Sequence, residues 1–188
     1  MMHRTTAATL LALAATHPVA AEMPGPACPA GGAVQRATGL TVTYLGASAA
    51  NPDICRVRRG ADDAADFYFG IWATDWPGAD AAYPALKQVL SGAPGTAVRF
   101  DTRAAPGLAW HETLRNEGRE TLNLLGRTWD TLKVAHEREG FDGNTYHSVI
   151  TSWRDTASGM TIYQNYQHIS GHPEPGGQWD PAAISTAR

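Results

Sequence analysis

Apolar and polar residues alternate along most of this chain, the period of strands that turn one face inward. Leu40, Val42 and Tyr44 alternate between Gly39 and Gly46, an extended run spans Ile54 to Arg58, and Phe67, Phe69 and Ile71 share one face of Asp66 to Trp72. Val98 and Phe100 are in phase within Thr96 to Arg103, and Leu108, Trp110 and Leu114 within Leu108 to Asn116; a further run covers Arg119 to Leu124. Gly95, Gly107, Gly118 and Gly126 stand between these runs, where turns need them. Helical spacing occurs once, over Pro84 to Leu90, with proline suited to a first turn and Gly92 and Pro94 as the stop. The predicted fold class is mainly β: a curved antiparallel sheet, half-barrel or open-barrel meander, with one short helix.

The densest pattern lies between Arg127 and Gly171. Thr128–Arg138 and Thr145–Arg154 flank Phe141-Asp142-Gly143-Asn144, and Asp-Gly between alternating runs is a strong hairpin signal. A two-residue loop at Asp142 and Gly143 pairs Arg138 with His147, His136 with Val149, Val134 with Thr151 and Leu132 with Trp153, all on one side of the sheet. That side carries Leu132, Val134, Val149 and Trp153 and is therefore expected to be the concave or core face. The next turn, Asp155 to Ser158, decides what continues it, because a slip of one residue reverses every side chain. A four-residue loop brings in Met160, Ile162, Gln164 and Tyr166, matching apolar with apolar; a five-residue loop brings in Thr161, Tyr163, Asn165 and Gln167 instead.

On the four-residue register His136, His147 and His168 converge at one end of this face, beside Arg138 and Tyr166. Three neutral imidazoles with an open position suit zinc, and copper also accepts them. No nucleophile elbow, P-loop, zinc-protease helix or dinucleotide fingerprint occurs, so binding is the expectation rather than catalysis.

The N-terminus changes the picture of compartment. His3 and Arg4, the small and apolar run from Thr5 to Thr16, and His17-Pro18-Val19-Ala20-Ala21 before Glu22 have the order of a cleavable secretory signal. Residues 1–21 are thus expected to be a leader cut after Ala21, 22–171 a single β-rich domain, and 172–188 an irregular tail from which Trp179 can dock back onto the domain. The apolar run falls short of the ~20 residues that span a bilayer, so no integral membrane span is expected. The two cysteines, Cys28 and Cys55, both follow the leader, and an oxidising compartment favours a disulfide between them.

The chain carries 15 basic and 18 acidic residues, a net charge of -3 with histidines neutral. Such a balance excludes the electrostatic footprint of a nucleic-acid or anionic-membrane binder. The local run Arg56, Arg58, Arg59 is followed by Asp62, Asp63 and Asp66, and reads as a solvated, self-compensated edge.

The order of a helix ending near Val89-Leu90, Gly-Ala-Pro-Gly-Thr leading into Val98-Arg99-Phe100, Gly118-Arg119-Glu120-Thr121-Leu122, Gly126 to Val134, then Ser152-Trp153 and Gly159, resembles the exported half-barrel domains of unknown function from Gram-negative bacteria. The likeness covers about Pro84 to Gln167. It implies a strongly curved antiparallel sheet with a helix near its concave side, related in shape to periplasmic lipoprotein carriers. It carries over no catalytic residue, and the proline usual after the hairpin aromatic is replaced by Arg154-Asp155.

Together these readings predict a soluble periplasmic binding or accessory protein. Its concave face, lined by Leu132, Val134, Val149, Trp153, Ile162 and Tyr166 with Arg138 at the rim, would hold an apolar small molecule, a lipid or acylated ligand, or a segment of an envelope protein partner. A metal-binding protein using His136, His147 and His168, and a structural subunit without a small ligand, are the alternatives.

Overall fold

The computed structural model describes residues 23–173 and 178–187; the expected leader lies outside them. Five strands, β1 (Gly32–Arg36), β2 (Thr41–Ala47), β3 (Ile54–Arg59), β4 (Ala65–Tyr68) and β5 (Trp72–Ala73), precede the helix α1 (Ala79–Ser91). Six follow it: β6 (Ala97–Ala105), β7 (Leu108–Leu124), β8 (Arg127–Phe141), β9 (His147–Asp155), β10 (Thr161–Ser170) and β11 (Pro181–Thr186). The fold is mainly β with one helix, as the alternation predicts. The strands divide between two antiparallel sheets, ordered β11-β1-β2-β3-β4-β5 and β10-β9-β8-β7-β6, neither closed into a barrel.

The helix is longer than its pattern suggests because it begins on Gly78, at φ 81°, and holds Pro84 in its interior. A Cβ on Gly78 would stand 2.2 Å from Thr102 Cγ2, so only glycine lets the helix start this close to β6. Ala82, Ala85, Leu86, Val89 and Leu90 pack against Phe69, Trp72, Leu114, Leu132 and Val134. The helix thereby covers one open side between the sheets. A second core joins Val34, Val42, Tyr44, Val57 and Phe67 to Trp129, Met160 and Ile162, with the Cys28–Cys55 disulfide among them.

Two groups tie the sheets across this core. The Tyr44 hydroxyl accepts the Thr161 N–H at 3.2 Å and donates to the Thr161 carbonyl at 3.3 Å. The Arg154 guanidinium, 1% exposed, donates to the carbonyls of Phe69, Pro26 and Ala27. Burial brings that guanidinium down to about 10.

Several local expectations are corrected. Gly118 is not a turn but part of a bulge inside one long strand: its N–H bonds Asn116 Oδ1 at 2.8 Å, and the register shifts between Asn116 and Gly118. The run Asp66–Trp72 is broken at Phe69 and Gly70, both at positive φ, which reverse the chain between β4 and β5. The tail is not irregular throughout, since Pro181–Thr186 pairs with β1, Ile184 opposite Val34.

The Asp142-Gly143 turn forms as predicted, both residues at positive φ and Asn144 N–H bonded to the Phe141 carbonyl at 3.2 Å. The return strand then gains a residue. Asn144 Oδ1 takes the Tyr146 N–H at 3.1 Å, its Nδ2 bonds the Ala109 carbonyl at 3.2 Å, and Gly140 N–H reaches the Tyr146 carbonyl instead of that of Thr145. Arg138 is therefore opposite Ser148, His136 opposite Ile150 and Val134 opposite Ser152. This one-residue shift turns His147, Val149, Thr151 and Trp153 to the outer face. At the next turn Asp155 N–H bonds the Met160 carbonyl, which keeps four residues in the loop but moves it by one. A bulge at Ile162 then places Tyr163 opposite Trp153 and Tyr166 opposite Ile150. The contents of the five-residue alternative, Tyr163, Asn165 and Gln167, are the ones that share the face of Trp153.

Candidate functional site

Alternation along β7, β8, β9 and β10 leaves Leu114, Val134, Ile150, Ser152, Gln164 and Tyr166 facing the other sheet, with Leu114 and Val134 also touching the helix core. They enclose a cavity of about 490 Å³ together with Arg36, Leu40, Arg59, Ile71, His136 and Trp179. Its size is that of a small-molecule site, and its lining is mixed, with Leu114, Val134, Ile150 and Ile71 beside Arg36, Arg59, His136, Ser152, Thr161 and Gln164. Trp179 closes one side: its backbone pairs with Gln164, and the Arg36 guanidinium lies 3.5 Å from its ring centroid. Arg36, only 8% exposed, is held down to about 10 by burial and by the nearby Arg59 charge, and burial also lowers Arg59.

One wall of the cavity leads to a buried polar cluster. Glu112, on β7, is wholly buried, and its carboxylate meets His136 Nε2 at 2.7 Å, Arg138 Nε at 3.1 Å and the Thr102 hydroxyl at 2.8 Å. Burial pushes this carboxyl up, but the hydrogen bonds and charge interactions with His136 and Arg138 outweigh it, so it titrates below the usual range. Trp72 packs 5.3 Å from the His136 ring, and Arg138 lies over Trp110 at 5.1 Å. With Nε2 committed to Glu112, His136 forms part of the cavity wall.

The predicted site residues separate into four places. Val134, Tyr166 and His136 line the cavity. Leu132 and Ile162 are buried in the two cores. Arg138 bonds Glu112 beyond the cavity wall. Val149 and Trp153 lie on the opposite face, where Trp153 Nε1 donates to Glu120 Oε2 at 2.8 Å and the indole packs 4.7 Å from Tyr163. The expected convergence of His136, His147 and His168 is corrected by the bulge: His147 is on the outer face, 2.9 Å from Glu137 Oε1, and His168 is exposed opposite Ser148. Among the described residues no group of three or more histidine, cysteine or acidic side chains is placed to hold zinc, copper or another metal ion.

Sequence reasoning passed over Arg36 and Glu112 and read Arg59 as part of a solvated edge, although parity marks all three. Arg36 is in phase with buried Val34, Arg59 with buried Cys55 and Val57, and Glu112 with buried Trp110 and Leu114. A charged residue in phase with an apolar face is costly to bury alone, which is the signal of a partnered or ligand-facing group. Arg59 therefore differs from its neighbours Arg56 and Arg58, which do point away from the core. Compared with family models, curated proteins and solved structures, the chain finds no match.

Proposed function

We propose that this is an exported binding protein that holds an apolar or acylated small ligand in the cavity between its two sheets. The cavity itself carries the reading: about 490 Å³ of space between the two sheets, lined by Leu114, Val134 and Ile150 together with Gln164, Tyr166 and arginine. The leader-like N-terminus and the Cys28–Cys55 disulfide support an oxidising compartment such as the periplasm. No helix among the described residues is long and apolar enough to cross a membrane. The ligand face is the one carrying Val134, Ile150 and Tyr166, and Trp153 is no part of it.

Isothermal titration of the protein with alkyl amphiphiles of eight to twelve carbons tests this, alongside the cavity-filling variants Ile150→Trp and Ser152→Phe. Binding to the parent protein that is lost in both variants, with their folds retained by circular dichroism, is the expected result. No binding across the series, or equal binding by the filled variants, would refute it.

A further inference from the structure

The cavity reading leaves open what the polar end of the ligand is, and His136 bears on that. Its Nε2 lies 2.7 Å from the wholly buried Glu112 carboxylate, which titrates below the usual range and is therefore ionised at neutral pH. An ionised carboxylate only accepts, so Nε2 carries the ring proton and donates it, which leaves Nδ1 of the neutral ring as a bare acceptor. Among the described residues Nδ1 bonds nothing, and it is not one of the unpartnered side-chain atoms sealed from solvent. The open space that His136 borders is the cavity, whose wall it helps to form.

The surroundings of this acceptor are apolar. Leu114 and Ile150 are directly opposite His136 on the two neighbouring strands, and Val134 is two residues along its own strand on the same face. An acceptor set in such a wall is left unmet by an alkyl chain and by any head group that itself only accepts. A head group that donates meets it. Ser152, opposite Val134, is diagonal to His136 on this face, ~7 to 8 Å away between backbones, and among the described residues its hydroxyl bonds nothing. One ligand oxygen between the two can donate to Nδ1 and accept from the Ser152 hydroxyl, which is the capacity of an alcohol. An ammonium, the other strong donor, would meet the Arg59 charge and no carboxylate among the described residues of the lining.

We propose that the ligand of this cavity is a neutral alcohol, its hydroxyl donating to Nδ1 of His136 and its apolar body against Leu114, Val134 and Ile150. The inference rests on the cavity being the binding site. Glu112 enters it as a positioning residue, which holds the ring in the tautomer that accepts.

Decanol and methyl nonyl ether are isomers, and only the alcohol donates a hydrogen bond. Titrated calorimetrically below their solubility limits, the alcohol is expected to bind about tenfold or more tightly than the ether. The imidazole nitrogens of labelled protein, observed by NMR at about pH 8, above the ordinary histidine range, and assigned through bonds from the His136 backbone, show where the contact is made without any substitution. In the free protein the proton is expected on Nε2 and the Nδ1 resonance at the position of a bare nitrogen. Saturation with decanol shifts Nδ1 upfield, as a new hydrogen bond requires, and the ether leaves it in place. Equal or tighter binding of the ether overturns the alcohol head group and leaves the cavity reading standing. A proton on Nδ1 in the free protein, or an Nδ1 resonance that bound decanol leaves unmoved or that the ether moves as far, overturns the assignment to His136. Failure of both compounds to bind overturns the cavity reading and this inference with it.

Discussion

Nε2 of His136 lies 2.7 Å from Oε2 of Glu112, a carboxylate with no exposure to solvent. This pair, completed by Arg138 and Thr102, fixes where His136 sits on the cavity wall and makes Glu112 a keystone between β6, β7 and β8. Breaking a buried ion pair by neutralising one partner costs about 3 to 5 kcal/mol. Glu112→Gln is therefore expected to lower the free energy of unfolding by that order in urea titrations at neutral pH. A change below about 1 kcal/mol would contradict the arrangement.

The same carboxyl sets a pH dependence. Its pKa is depressed on folding, so its contribution is complete above the unfolded value of about 4.3 and is lost as pH falls through the lower, folded value. The parent protein should lose stability as pH drops below ~4.3, and Glu112→Gln should lose less of it over the same interval. Urea midpoints measured from pH 6 to pH 3 that fall in parallel for both proteins would count against this.

Most of the strands, the helix and the cysteine pair were legible because each is written locally, in alternation, in a 3.6-residue spacing and in composition; β1 (Gly32–Arg36) was not among them. The site was not, because it depends on parity, and parity is changed by single inserted residues. Asn144 satisfies the backbone of its own bulge, and nothing in the run Asp142-Gly143-Asn144-Thr145 separates that outcome from a regular ladder. Ile162 adds a second inserted residue, itself buried and apolar. The last strand was illegible for a different reason: Pro181–Thr186 is made mostly of small residues with little strand propensity, and owes its conformation to the ladder with β1. Glu112, by contrast, was readable as a lone acid in the apolar phase of Leu108, Trp110 and Leu114.

Asn144 replaces two ladder contacts with its own side chain, to Tyr146 N–H and the Ala109 carbonyl. Asn144→Ala is expected to cost about 1 to 2 kcal/mol, two ordinary hydrogen bonds at ~1 kcal/mol each at most. Urea denaturation checks the size, and an unchanged midpoint would show that the bulge does not need this side chain.

The Cys28–Cys55 disulfide spans 27 residues and anchors the segment whose carbonyls, at Pro26 and Ala27, receive Arg154. In the chain-entropy account such a loop contributes about 3 to 4 kcal/mol. The double variant Cys28→Ser, Cys55→Ser should lose about that much stability to urea. A loss under about 1 kcal/mol would mean that the Arg154 contacts alone hold the segment.

The central claim is that ligands enter between the two sheets and leave the outer face alone, and two tryptophans report on these places separately. Trp179 lines the cavity, whereas Trp153 is on the outer face with its indole N–H on Glu120. The most direct measurement is the set of indole N–H resonances in a proton–nitrogen correlation spectrum, assigned by tryptophan-to-phenylalanine variants and followed as decanol is added. The Trp179 resonance is predicted to move in proportion to occupancy while that of Trp153 stays in place; movement of Trp153 with Trp179 unchanged would contradict the account.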